Sequence, residues 1–431
     1  MKNHSLFKSS LLAGTILLTL TGIVSRLIGF FYKIFLSRTI GAEALGIFQL
    51  IFPVFVFALA ISCGGIQTAI SRFTAASESR KEARLYLYLG TVLSVALSFL
   101  CAFAVYENAG FLSRYLLEEP RCEDLLRIMA LAIPFASIHN CINGYYYGLK
   151  KTAIPAASQL LEQIIRVAGV YVICMILTEE GKALTATTAV WGLFIGELAS
   201  SLFCITMLRF KKASGQVRRS FKNLCSMAFP FTVNRIVLSL AQSLETILIP
   251  MSLKDFGYST YDALSVYGIL TGMVLSTIML PAVLSNSLSV LLLPEISRAQ
   301  ASRQERQIQR IIKKTVELSV ILGLLCTFIF LISGTFVGQQ LFHNHLAGIY
   351  LKNLCWICPF LFLSSTLCSI LHGLGKPKTV LGINIGGSCI RMLFILFLIP
   401  QMGMRGYLWG MLVSQIFVSA LSYRNLRKSC F

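Results

Sequence analysis

The stretch TGIVSRLIGFFYKIFLSRTIG, Thr21–Gly41, decides how the rest of the chain is read. It is apolar enough to enter a bilayer, yet it carries Arg26 in its body and Lys33 near its end. At helical spacing Thr15, Thr19, Gly22, Arg26, Gly29 and Lys33 share one stripe, in steps of three and four residues. A cation inside a membrane helix is costly and faces a water-filled cavity or a partner. The small residues beside it leave room for an approaching group. The stripe is therefore expected to line the pathway of an integral membrane transporter.

The surroundings fit that reading. The chain has 431 residues, of which 56% are hydrophobic and 13% charged, too apolar for a soluble protein of this size. Apolar runs recur along its whole length and are continuous instead of alternating, which excludes a membrane β-barrel. The expected fold class is an all-α integral membrane protein with about twelve transmembrane helices. Their approximate spans are 11–36, 44–70, 84–106, 123–148, 153–177, 184–208, 223–250, 262–293, 314–335, 348–372, 379–400 and 405–423.

The net charge of +20 would suggest nucleic acid in a soluble protein. Here the cations concentrate in alternate loops, around Arg72–Arg84, Lys150–Lys151, Arg209–Lys222, Arg298–Lys314, Lys376–Lys378 and Arg424–Lys428. The opposite loops hold only Arg38, Arg114, Arg121, Lys182, Lys254, Lys352 and Arg405. That asymmetry explains the charge without nucleic acid, and it places both termini in the cytoplasm of a plasma-membrane protein. The polar segment 295–314 (EISRAQASRQERQIQRIIKK) reads as a cytoplasmic helix, and either it or 209–222 is able to meet anionic lipid head groups. The Ser/Asn cluster Ser285, Asn286, Ser287 and Ser289 makes the cytoplasmic half of helix 8 polar, as a cavity wall would be.

Catalysis and cofactors find little support. No loop is long enough for a fused soluble enzyme, and no Walker-type loop offers direct ATP drive. The thirteen cysteines fall mostly inside apolar helices, and Cys355–Cys358 has no second pair at zinc-ligand spacing. His139, His343, His345 and His372 show no metal spacing, so no metal site is expected.

The chain also repeats. Arg166 follows Gly148-Leu149-Lys150-Lys151 and Arg391 follows Gly373-Leu374-Gly375-Lys376, each arginine 18 residues after the first glycine. Six helices per half make the repeat parallel, two lobes related by a pseudo-two-fold axis along the membrane normal and working by alternating access. The expected organisation is an N-terminal lobe over 1–210, a cytoplasmic linker over 211–222 and a C-terminal lobe over 223–431.

Inside the membrane the candidate substrate-binding residues are Arg26, Lys33, Arg166, Arg235, Gln242 and Arg391. Guanidinium groups offer forked donors and stay charged, which suits phosphate. Glu162, one turn before Arg166, also fits a structural ion pair. Arg391 has no acid in its own helix, leaving backbone carbonyls, Glu197, Glu245 or an anionic ligand as partners. Glu245 and Asn384 are the candidates for ion coupling, to a Na⁺ or H⁺ gradient or the membrane potential, with Glu245 equally able to pair with Arg235 or Arg391.

Three stretches carry a family resemblance: SRLIGFFYKIFLSRTIGAEALGIFQLIFP (25–53) with QTAISRFTAAS (67–77), YGILTGMVLSTIMLPAVLSNSLSVLLLPEISRAQ (267–300), and the HGLGKPK turn (372–378). The chain resembles the multidrug/oligosaccharidyl-lipid/polysaccharide exporter superfamily, in its stage V sporulation protein B-like branch, related to the lipid II flippases of the MurJ type. The resemblance implies a flippase carrying a polyprenyl-pyrophosphate-linked oligosaccharide or cell-wall precursor to the outer leaflet. It implies membrane lipids and wall-synthesis proteins as partners, and Arg26 at the family's first-helix SR-LGF motif. Two departures stand out. Tyr32-Lys33 replaces the Arg-Asp of lipid II flippases, and their eighth-helix Arg is not evident around Tyr267–Leu270. A cation-coupled multidrug exporter and a non-transporting wall-synthesis scaffold are the competing readings.

Overall fold

The computed structural model describes residues 2–208, 210–282, 305–374 and 376–430. The Ser285–Ser289 cluster and most of the basic segment before Glu305 lie outside the described residues.

Helices follow one another throughout. They are α1 (Lys2–Thr39), α2 (Gly41–Ala76), α3 (Arg80–Glu107), α4 (Cys122–Gly148), α5 (Ala153–Glu179), α6 (Ala186–Met207), α7 (Val217–Asp255) and α8 (Thr260–Met279). Then come α9 (Glu305–Phe336, continued by a π turn over Val337–Leu341), α10 (His345–His372), α11 (Pro377–Phe397) and α12 (Met404–Cys430). Their starts are written in the sequence. Ser79 caps α3 by accepting a hydrogen bond from the Glu82 backbone N–H, and Ser259 caps α8 in the same way through Asp262.

Among the described residues, eleven helices are long and apolar enough to cross a membrane, against the twelve expected. The twelfth, α12, is present but more polar, and its serines Ser414, Ser419 and Ser422 face its neighbours. Ser364 donates to Gln415, Ser419 donates to the Phe360 carbonyl, and Ser414 and Ser422 are fully buried. Hydroxyls that bond across helices hold α12 to α10 and α11 where a purely apolar face would rely on packing alone.

The chain divides into two compact units. One comprises Met1–Tyr32 and Ile47–Ser243, the other Lys33–Gly46 and Leu244–Phe431. The packing boundaries cut through α1, α2 and α7 instead of falling at the 211–222 linker. α1 and α7 are 38 and 39 residues long. At 1.5 Å per residue each spans about 57 Å, nearly twice the bilayer core, so their two ends meet different neighbours.

In the first unit α4 is central, with 67% of its apolar window buried against 11% for α5. Gly144 and Gly148 lie one turn apart on α4. A Cβ on Gly144 would come 2.7 Å from the Gln67 carbonyl oxygen, and one on Gly148 would come 2.5 Å from that of Ser71. The two glycines thus let the backbones of α4 and α2 approach. In the second unit the core gathers Leu367, Ile370 and Leu371 of α10 with Val380 and Ile383 of α11 and Val418 and Leu426 of α12.

Candidate functional site

Three local arrangements hold the polar groups. The first is a cavity of about 500 Å³ in the first unit, between α2, α4 and the first half of α7. Arg235, Asn234 and Gln242 come from α7, Gln67 from α2 and Asn140 from α4, opposite Phe52 and Phe55. α2 reaches it through a π turn at Ala60–Gly64, which widens the helix and turns Gly64 toward α7. The Arg235 stem lies on that glycine, since a Cβ there would sit 3.2 Å from Arg235 Cδ. Arg235 and Gln242 are exposed to the cavity, and no carboxylate is among its lining residues. Among the described residues Arg235 has no ion pair. Neither has Arg26, exposed on α1.

The second arrangement is a buried ion cluster, also in the first unit. Arg166 on α5 pairs with Glu162 one turn earlier and, at 3.3 Å, with Glu197 of α6. The other oxygen of Glu197 lies 2.7 Å from His139 Nε2 on α4. His139 and Glu197 are 7% and 6% exposed. Ligand atoms of His139, Glu162 and Glu197 lie within 4.8 Å of one another, close enough to share a cation, but the Arg166 guanidinium already binds both carboxylates. Sequence spacing concealed this cluster, because its four members sit on three helices. Only the Glu162–Arg166 pair, one turn apart, left a trace.

The third arrangement lies in the second unit. Arg391 on α11 pairs with Glu245 of α7 at 2.8 Å and donates to Ser388 and Ser414. Of the acids open to it from sequence, Glu245 is its partner, while Glu197 belongs to Arg166. Asn384 is exposed two turns before Arg391. Lys33 of α1 donates to the Ser276 hydroxyl at 2.8 Å, and Ser276 in turn donates to the carbonyl of Thr271, which lies in a π turn of α8. The eight candidate residues therefore do not form one site. Arg166, Arg391 and Glu245 are engaged in ion pairs, Lys33 is tied to α8, Arg235 and Gln242 share the cavity, and Arg26 and Asn384 stand apart.

The family model described as polysaccharide biosynthesis protein matches residues 11–300. The chain belongs to that family. A second model, MatE, matches residues 236–397 of this polysaccharide biosynthesis family member. Stage V sporulation protein B of Bacillus subtilis (strain 168) is 23% identical over 98% of this chain and 84% of its own. The lipid II flippase MurJ of the same organism is 23% identical over 91% of this chain and 78% of its own. Among solved structures, lipid II flippase MurJ in an inward closed conformation matches with a TM-score of 0.76 at 14% identity, covering 96% of this chain and 87% of that one. An inward-facing multidrug resistance MATE family transporter of the MOP superfamily matches with a TM-score of 0.72 at 14% identity, covering 97% and 98%. The resemblance seen in the sequence holds, and this family member is a multi-pass membrane protein with the fold of the MOP-superfamily flippases and transporters.

Proposed function

We propose that the protein is a flippase that carries a lipid-linked anionic glycan, such as a polyprenyl-pyrophosphate-linked oligosaccharide or cell-wall precursor, from the cytoplasmic to the outer leaflet of the plasma membrane. The observation that carries this is the cavity of the first unit. Its one cation, Arg235, is exposed and unpaired among the described residues, and four side-chain amides and two phenylalanines surround it. A guanidinium binds phosphate oxygens, amides bond sugar hydroxyls, and phenyl rings accept sugar C–H faces. A site for an organic cation would need a carboxylate, and the cavity lining has none, so the drug-exporter reading is the weaker one.

The substrate set narrows to Arg235 and Gln242, with Arg26 as a second cation. Arg166 and Arg391 are assigned to holding their units together. The reading is of a transporter without catalysis of its own, driven by an ion gradient or the membrane potential. Coupling through Glu245 requires Arg391 to release its carboxylate, and Asn384, two turns away on α11, is the second coupling candidate. The similarity to a stage V sporulation protein and to a lipid II flippase supports a cargo of cell-wall polymer synthesis, with wall-synthesis proteins as partners in this reading.

The test is reconstitution in vesicles with leaflet exchange of a polyprenyl-pyrophosphate glycan. Wild type should move it, and Arg235→Ala should slow it at least tenfold while leaving thermal stability in detergent unchanged. Wild-type vesicles that move a cationic dye and no glycan would reject the proposal.

A further inference from the structure

The basic segment at the start of α9 ends in a formed pocket, and neither the ion pairs nor the cavity described above uses it. In the second unit the first turns of α9 and the last turns of α12 enclose about 690 Å³. The floor is apolar: Ile312 and Leu426 are 8% and 2% exposed and belong to the core of that unit, and Val316 packs on them. The rim carries Arg310 and Lys313 from α9 and Arg427 from α12. Gln309, Lys313 and Val316 on α9 follow one another by four and three residues, and on α12 Leu426 and Arg427 lie three and four residues after Tyr423, which brings one face of each helix to the pocket. The single acid, Glu317, lies 4.0 Å from Lys313, and the two side chains are 56% and 80% exposed, so that pair neutralises little. Three cations therefore converge on one concavity with one weakly engaged acid.

What adjoins the outer edge of the pocket, at Arg310 and Glu317, points to the occupant. Beyond Glu317, α9 presents Leu318, Ile321, Leu325, Phe328 and Ile332, all between 49% and 65% exposed and spaced three or four residues apart. From Leu318 to Ile332 the stripe runs about 21 Å at helical rise, the length of an extended fatty-acyl chain. A soluble anion would use the cations and leave the stripe unused. A phospholipid uses both. The loop charges assign this end of the helices to the cytoplasmic side, where anionic lipids attract such clusters and basic pockets between helices hold their head groups.

We propose that this pocket binds the head group of an anionic phospholipid of the inner leaflet, with Arg310, Lys313 and Arg427 around the phosphate and one acyl chain along the α9 stripe. The test is native mass spectrometry of the full chain in detergent with dioleoyl phosphatidylglycerol or dioleoyl phosphatidylcholine added. Wild type should retain phosphatidylglycerol at least tenfold more tightly than phosphatidylcholine. The variant Arg310→Gln/Lys313→Gln/Arg427→Gln should lose on the order of a hundredfold in that affinity, from about fivefold per cation. The control Lys378→Gln/Arg424→Gln, which removes two exposed cations outside the pocket, should bind as wild type. If the triple variant does not fold, Arg427→Gln alone is read, with about a fivefold loss expected. Equal retention of both lipids, an unaffected triple variant, an equal loss in the control, or displacement of the lipid by millimolar inorganic phosphate or by a polyprenyl diphosphate would each overturn the proposal.

Discussion

Arg166 and Arg391 each lie 18 residues after a glycine that closes the preceding helix, yet they are neutralised differently. Arg166 takes one acid from its own helix and a second from α6, and His139 braces that second acid. Arg391 has a single acid, delivered by α7 from 146 positions earlier in the chain, and fills its remaining donors with two serines. The first cluster is closed on itself and ties α4, α5 and α6 together. The second depends on one cross-helix pair joining α7 to α11. Both arginines are largely buried and paired but keep different company, which fits a structural duty for each.

The contrast can be broken by removing the arginines. Arg166→Ala leaves two buried carboxylates facing each other and should give the largest loss, about 3–5 kcal/mol, read as the fall in the thermal midpoint of the detergent-solubilised protein. Adding Glu162→Gln and Glu197→Gln should recover most of it. Arg391→Ala strands only Glu245 and should cost less, about 3 kcal/mol, with Arg391→Ala/Glu245→Gln returning close to wild type in the same measurement. If Arg391→Ala proves the more damaging, the second unit relies on its one pair more than the geometry indicates. Ser419→Ala, which removes one hydroxyl bond from α12 to α10, should cost least, about 0.6 kcal/mol by the same assay.

The sequence revealed most where the physics is local. Apolar runs, loop charges and helix caps act over a few residues, so the helices and the membrane setting were legible. The Glu162–Arg166 pair was legible for the same reason, being one turn apart. The partners of Glu197 and Lys33 were not, and that of Arg391 was one of several alternatives, because each contact joins helices that no spacing rule connects. α12 was legible as a helix, but its polar residues do not announce that they are interhelical glue. The cavity was half legible: Arg235 and Gln242 share a stripe of α7, while Gln67 and Asn140 reach it only through the packing of α2 and α4.

The split of α1 and α2 between the units bears on how the protein is made. Lys33–Gly46 joins the end of α1 to the start of α2, and it packs with the second unit. Gly46 lies so close to α8 that a Cβ there would come 2.1 Å from the Leu264 carbonyl oxygen. That seat does not exist until some 220 further residues have been synthesised, about 10–45 s at ordinary translation rates. The α1–α2 hairpin must therefore wait, part-docked, for a hairpin made later. Ribosome pausing or membrane-chaperone demand should concentrate between the emergence of α2 and that of α8.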